Sequence, residues 1–281
     1  MARWNSPPAA MPADRIGVAH LRALWERTQR ARSGSGGPPD AATWARDVVT
    51  LRGLRVGLRE SYEFLYQRAP AFAEFEAWII ERNGGAIGAE DLMRINAAID
   101  GAPVPLDGDE ADGEVLSAAD VAFWDEHGYV VVHDAVTAAQ CAAAADAICE
   151  YRGADLRDPN TWYARGDGHS IWVSLLHHPA LWANRQSTRI RGAFAQLWGR
   201  RDLWVTVDQA GFNPPERADW AFPGPHLHWD TELVPPVSFN VHGILYLTDT
   251  AANQGAFTCV PGFHRKIDAW LADLPADADP Q

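Results

Sequence analysis

Phe222-Pro-Gly-Pro-His-Leu-His-Trp-Asp-Thr-Glu232 is the stretch on which the reading of this chain turns. Within it, His228-Trp229-Asp230 forms a His-x-Asp pair. On an extended chain, residues i and i+2 project to the same side. One imidazole and one carboxylate can therefore grip the same ion. A second histidine from a distant strand would complete a facial set of two histidines and one carboxylate, with positions left open for small ligands. The tripeptide alone is a weak signal, and its setting carries more. It follows an alternating stretch and a Pro/Gly loop, and it precedes two β-type segments. A double-sheet jelly roll would place ligands there, at its open mouth.

The flanking segments support that expectation. In Leu203–Asn213, alternation puts Val205, Val207, Gln209, Gly211 and Asn213 on one face. Asn240–Thr248 reads as a strand, Asp249–Gly255 as a loop and Ala256–Val260 as the returning strand, which together make a hairpin. Further upstream, Ser117 with Asp120 and Thr137 with Gln140 have capping-box spacing. They open two helices, the first ended by Gly128 and followed by a short strand at Tyr129–Val132. One more helix is expected near Arg189–Trp198.

Residues 1–100 read as a helical region. Ile16, His20, Leu21 and Leu24 repeat at helical spacing, and Ser33–Pro39 breaks that helix. Leu58, Tyr62 and Leu65 form a second set, and beyond Pro70 come Phe72, Phe75, Trp78 and Ile79. Asn83-Gly84-Gly85 closes this segment, and Glu90–Ile99 is another helix. Residues 101–115 are acidic and rich in Gly and Pro, which marks a solvated linker. Residues 116–281 are then the site-bearing domain. The expected fold class is mainly β, a double-stranded β-helix or jelly roll incomplete at its C-terminus, with a helical N-terminal region: α+β overall.

Bulk properties narrow the function classes. The 281 residues are 47% hydrophobic and 22% charged, with a net charge of −13. Such an acidic chain lacks the basic footprint of a nucleic-acid surface or of docking to anionic membranes. No run approaches the length of an apolar span. Three unpaired, irregularly spaced cysteines give neither a disulfide framework nor a zinc knuckle. The start Met1-Ala-Arg-Trp-Asn-Ser-Pro-Pro has no apolar signal run. These features lead to the expectation of a cytoplasmic protein. Neither a phosphate-binding Gly-rich loop nor a Gly-x-Ser-x-Gly elbow is present.

Four ordered segments carry a family resemblance. Leu116-Ser-Ala-Ala-Asp-Val-Ala-Phe-Trp-Asp-Glu-His-Gly-Tyr-Val-Val-Val132 resembles the opening helix and strand of the phytanoyl-CoA dioxygenase family. Leu203–Pro215 is similar to its strand leading to the metal, and His228-Trp-Asp230 to its His-x-Asp. Leu245–His264 is similar to its later hairpin and Pro-Gly-x-His turn, with Phe263 where that family often has Ser or Thr. The resemblance covers residues 116–275. It implies Fe(II) as metal, 2-oxoglutarate as co-substrate, and hydroxylation of a small organic substrate by dioxygen, with succinate and carbon dioxide as by-products. It carries His228 and Asp230 over as iron ligands, and Gln209, Asn213 and Ile244 as residues lining the co-substrate pocket. The helical N-terminal region lies outside it and offers surface for a homo-oligomer.

The chain departs from the family at one place. Family members have a second ligand histidine well after the Pro-Gly-x-His turn, and beyond it an arginine that grips the far carboxylate of 2-oxoglutarate through a bidentate fork. Here no histidine follows His264, and the later basic residues Arg265 and Lys266 match neither role. Three readings stand open. The chain is a fragment of a longer enzyme, or a degenerate non-catalytic homologue serving as a binding module, or an altered site in which His242 or His264 supplies the third ligand. Plainer roles fit the remaining candidates. His226 is a loop residue, His242 a core or surface histidine, and Asp249 and Asn253 are turn formers. Trp229 packs on the face opposite the pair, and His264 fixes its turn beside the site.

Overall fold

The computed structural model describes residues 14–102, 114–163, 170–224, 226–275 and 277–280. The expected linker at 101–115 falls almost wholly outside them. Two compact units are present, and each is described by itself. The first takes in the chain up to Asp107 together with Trp204–Val207, and the second takes in the remainder.

The first unit is built of α1 (Ala19–Arg32), α2 (Ala41–Gly53), α3 (Leu58–Arg68), α4 (Phe72–Arg82) and α5 (Ala89–Ile99). The helix breaks fall where the sequence places them: after Arg32, at Pro70 and at Asn83. Asp40 caps α2 by accepting from the Thr43 amide at 2.7 Å. Glu60 and Glu74 reach back to the amides of Gly57 and Ala71 at 2.9 and 2.8 Å, so α3 and α4 start without a hydroxyl cap. Leu21, Leu24, Leu51, Leu65, Phe75, Ile79 and Ile95 are fully buried at the centre. This apolar core encloses a polar knot. The Asp47 carboxylate, fully buried, meets His20 Nε2 at 2.7 Å, the Arg27 guanidinium and the Tyr62 hydroxyl at 3.3 Å. A buried carboxylate persists only when paired and hydrogen-bonded, and these three groups supply that.

The second unit contains α6 (Ala118–His127), α7 (Ala138–Arg152), β1 (Trp172–Val173), α8 (Pro179–Arg185), α9 (Thr188–Trp198), β2 (Ala210–Gly211) and α10 (Ile267–Asp273). Both capping boxes form. Ser117 Oγ accepts from the Asp120 amide at 3.2 Å, and Thr137 Oγ1 from that of Gln140 at 3.2 Å. Gly128 ends α6 in the left-handed region at φ 79°. Ala144, Ile148, Val173 and Leu181 form a small core, with Phe212 and Leu247 against it. Gln196 on α9 clamps the entry to α6. Its Oε1 accepts from the amides of Val115 and Leu116 at 2.9 and 2.8 Å, and its Nε2 donates to Leu116 O at 2.9 Å.

The expected mainly β architecture is not what forms. Of the described residues, 47% are helical and only 3% strand. Among them one sheet pairs β1 with β2 antiparallel, Trp172 opposite Gly211 and Val173 opposite Ala210. No jelly roll and no 240–260 hairpin ladder is present among the described residues. Alternation and β-branching mark a segment that suits a pleated, half-buried surface, but a strand forms only where a neighbour completes its ladder. The Leu203–Asn213 stretch is divided, with Trp204–Val207 packed into the first unit and only Ala210–Gly211 paired in the second. Between the two arms of the expected hairpin, the Phe257 amide donates to the Tyr246 hydroxyl at 2.6 Å, a side-chain bond in place of a ladder. Ile244 and Phe257, on the two arms of the expected hairpin, are 61% and 57% exposed.

Candidate metal centre

The loop before His228 is fixed from both sides. The Phe222 amide donates to Glu216 Oε1 at 3.0 Å, and Ser170 Oγ donates to the carbonyl of Gly224. Gly224 is buried with φ 76°, a conformation open to glycine and strained for other residues. Two residues on, the His226 carbonyl faces His228 Nδ1 at 2.6 Å. A carbonyl only accepts, so Nδ1 carries the hydrogen and the neutral ring presents its Nε2 lone pair outward. That lone pair faces Asp230 Oδ1 at 3.2 Å. Two acceptors this close repel unless a proton or a cation stands between them.

The separation suits a metal. Two donors each about 2.1 Å from one octahedral ion stand about 3.0 Å apart. The backbone-held Nδ1–H is also the usual second contact of a metal-binding histidine. His228 and Asp230 therefore fit as two donors to a divalent ion. Among the described residues, no group of three His, Cys, Asp or Glu side chains is placed to hold one.

His242, read from the sequence as a core or surface histidine and alternatively as a third ligand, comes to the pair. His242 Nδ1 lies 3.5 Å from Asp230 Oδ2, the oxygen turned away from His228. Asn240 Nδ2 meets His242 Nε2 at 2.9 Å. The signal was present as a polar Asn-x-His pair at period-two spacing on an otherwise apolar segment. His264 goes elsewhere. Its Nε2 meets the carbonyl of Asp125 at 2.9 Å, and the Gly262 amide donates to His127 O at 2.8 Å. The Pro-Gly-Phe-His turn thus supplies partners to carbonyls at the C-terminus of α6, which no helix bond satisfies.

Trp229 turns away from the ions' side, as period two requires. It packs against Phe263 and Trp270 with ring centroids 5.4 and 5.9 Å apart. Phe263, which stands where the resembling family often has Ser or Thr, touches both tryptophans and lies 5.6 Å from Trp270. The three residues expected to line a co-substrate pocket are spread more widely. Gln209 is half-buried, and its amide donates to Asp208 Oδ1 at 2.8 Å. The Asn213 side-chain amide fills the space where a Cβ on Gly255 would stand. Ile244 is largely exposed, two positions beyond His242 and on the same side of an extended chain.

Among the described residues, no helix is long and apolar enough to cross a membrane. No solved structure matches the chain. It is 24% identical over 164 residues to "Ava biosynthesis cluster protein O" of Aspergillus versicolor, covering 54% of this chain and 52% of that protein. The chain thus spans about half the length of the curated relative it matches. The profile of the phytanoyl-CoA dioxygenase (PhyH) family, whose members are generally Fe(II)/2-oxoglutarate oxygenases, matches residues 124–280. That span holds His228, Asp230 and the Pro-Gly-x-His turn and is more than half of the sequence, so the chain belongs to the phytanoyl-CoA dioxygenase family.

Proposed function

We propose that this chain carries the metal-gripping part of an Fe(II)/2-oxoglutarate-dependent dioxygenase that hydroxylates a small organic substrate. The single observation that carries the reading is the His228–Asp230 pair, 3.2 Å apart, with the His228 tautomer set by a backbone carbonyl, inside the span that the family profile matches. The relative's name, which places it in a biosynthesis cluster, supports a biosynthetic intermediate as the substrate class.

Bound Fe(II) would activate dioxygen, the oxidant, one atom of which would enter succinate as 2-oxoglutarate loses carbon dioxide while the other would go to the substrate as hydroxyl. The chain's own share is placement. His228 would offer Nε2 as a nitrogen donor, with its Nδ1–H held by the His226 carbonyl. Asp230 offers a negative oxygen on the same side and offsets part of the ion's charge. The layer of Trp229, Phe263 and Trp270 backs the loop and holds its direction. Gln209, Asn213 and Ile244 are assigned to the co-substrate side.

A second reading is a non-catalytic binding module on the same scaffold. The lack of a third donor among the described residues favours it, as does the exposure of the pair, with side chains 48% and 63% accessible. One experiment separates the two. Succinate formation from 2-oxoglutarate is measured with and without Fe(II), in the wild type and in Asp230→Ala. Iron-dependent succinate that disappears in Asp230→Ala supports the oxygenase. Equal succinate in both proteins, or none in the wild type, overturns it.

A further inference from the structure

We infer that His242 is a positioning residue for Asp230, and that Asn240 sets the tautomer in which it acts. The inference rests on the metal reading of His228 and Asp230 and adds a role that neither the family profile nor the relative assigns.

Three polar contacts link Val241 to Asp230. The Val241 amide donates to Asn240 Oδ1 at 3.0 Å. A backbone amide only donates, so the side-chain oxygen of Asn240 is identified and its NH2 group must face the other way. That NH2 group meets His242 Nε2 at 2.9 Å and donates to it. Nε2 is then the acceptor nitrogen, and the neutral ring carries its hydrogen on Nδ1. Nδ1 stands 3.5 Å from Asp230 Oδ2, an ion-pair distance outside hydrogen-bond geometry. The ring nitrogen that carries the hydrogen is thus the one nearer the carboxylate oxygen that His228 does not face.

This arrangement explains why His242 is not a third ligand, although it is a histidine close to the pair. A ligand needs a lone pair directed at the ion, and the His242 lone pair is spent on Asn240. The absence of a three-donor group among the described residues agrees. What His242 can do is hold Asp230 to one-oxygen binding. With Oδ2 turned to Nδ1–H, Oδ1 remains beside His228 Nε2. Polar partners beside a ligand fix its direction, and their loss commonly lowers metal affinity by about 10–100-fold. His242 and Asp230 are both more than half exposed, which puts the expected effect at the lower end of that range.

Two measurements on the full chain test the role. The first is the nitrogen-15 spectrum of the histidines in the metal-free protein with neutral imidazoles, which shows which ring nitrogen carries hydrogen. The expected result is Nδ1–H for His242 in the wild type and a mixture in Asn240→Leu. The second is titration with Mn(II) followed by electron paramagnetic resonance. His242→Ala is expected to bind Mn(II) about tenfold more weakly. His242→Asn, which keeps an N–H donor where Nδ1 stood, is expected to recover most of that loss. In an Asp230→Ala background, removing His242 is expected to cost nothing more.

An Nε2–H tautomer in the wild type overturns the positioning role alone. An equal loss from His242→Ala with and without Asp230 also overturns it, because His242 would then touch the ion itself. Mn(II) binding indifferent to both His228→Ala and Asp230→Ala overturns the metal reading, and the positioning role with it.

Discussion

His264 Nε2 lies 2.9 Å from the carbonyl oxygen of Asp125, a contact that closes 139 residues of chain onto the end of α6. Beside it, the His264 ring occupies the space where a Cβ on Gly128 would stand. A histidine in a family turn thus acts here as a helix terminator. His264→Ala should cost about 1 kcal/mol of stability, the net worth of one hydrogen bond to a carbonyl. Mn(II) affinity should not change. Urea unfolding and metal titration on the same variant check both parts, and a fall in affinity would mean that His264 reaches the ion after all.

Gly128→Ala should be worse than an ordinary Gly→Ala change. At φ 79° an L-residue is strained by about 1–2 kcal/mol, and the new methyl must also displace His264. The double variant Gly128→Ala/His264→Ala should lose less than the sum of the two single changes. Strict additivity in urea midpoints would contradict the packing described.

Gln196→Ala should lower stability by about 1–3 kcal/mol, because it leaves two backbone amides and a carbonyl at Val115 and Leu116 without their partner. Gln196→Glu keeps the acceptor and loses only the donor, and should fall between wild type and Gln196→Ala. Thermal unfolding of the three proteins gives the order.

In the first unit, Asp47→Ala should destabilise by about 3–5 kcal/mol, because it strands the Arg27 charge and breaks the bonds to His20 and Tyr62. Chemical denaturation measures this directly.

Burial, and then the Asp47 charge, push the Tyr62 hydroxyl well above the usual phenol range. The unfolded chain therefore releases this proton first as pH rises. The stabilisation from Tyr62 is complete below about pH 10, the ordinary tyrosine value, and is lost above it. Unfolding midpoints taken across that range should fall more steeply for wild type than for Tyr62→Phe.

What was legible in the sequence differs between the two halves. Helix starts at Ser117 and Thr137 and stops at Gly128 and Asn83 were readable because caps are local: side chain and amide lie within one turn. The shared side of His228 and Asp230 was readable for the same reason, since alternation over three residues sends these two one way and Trp229 the other. The sheet was not. Val205, Ile244 and Phe257 carry strand-like patterns, but a ladder depends on a second segment whose presence no local pattern reports. His242 was named as an alternative third ligand, but its contact with Asp230 Oδ2 through Nδ1 and its bond to Asn240 were not legible, because the first crosses twelve residues of sequence and the second rests on an amide orientation fixed by Val241. The buried Asp47 knot was missed because its members, His20, Arg27, Asp47 and Tyr62, lie on three different helices.

The wall behind the candidate metal pair joins Trp229 to Phe263 and Trp270, and the Phe263 turn is in turn pinned to α6 by Gly262 and His264. These contacts connect stretches separated by up to 139 residues, and closure over that distance has to be met before any of them is rewarded. The helices can form early from their own caps. The His228–Asp230 pair acquires its backing only when the two ends of this long excursion meet, so the candidate metal centre is expected to assemble among the last events of folding.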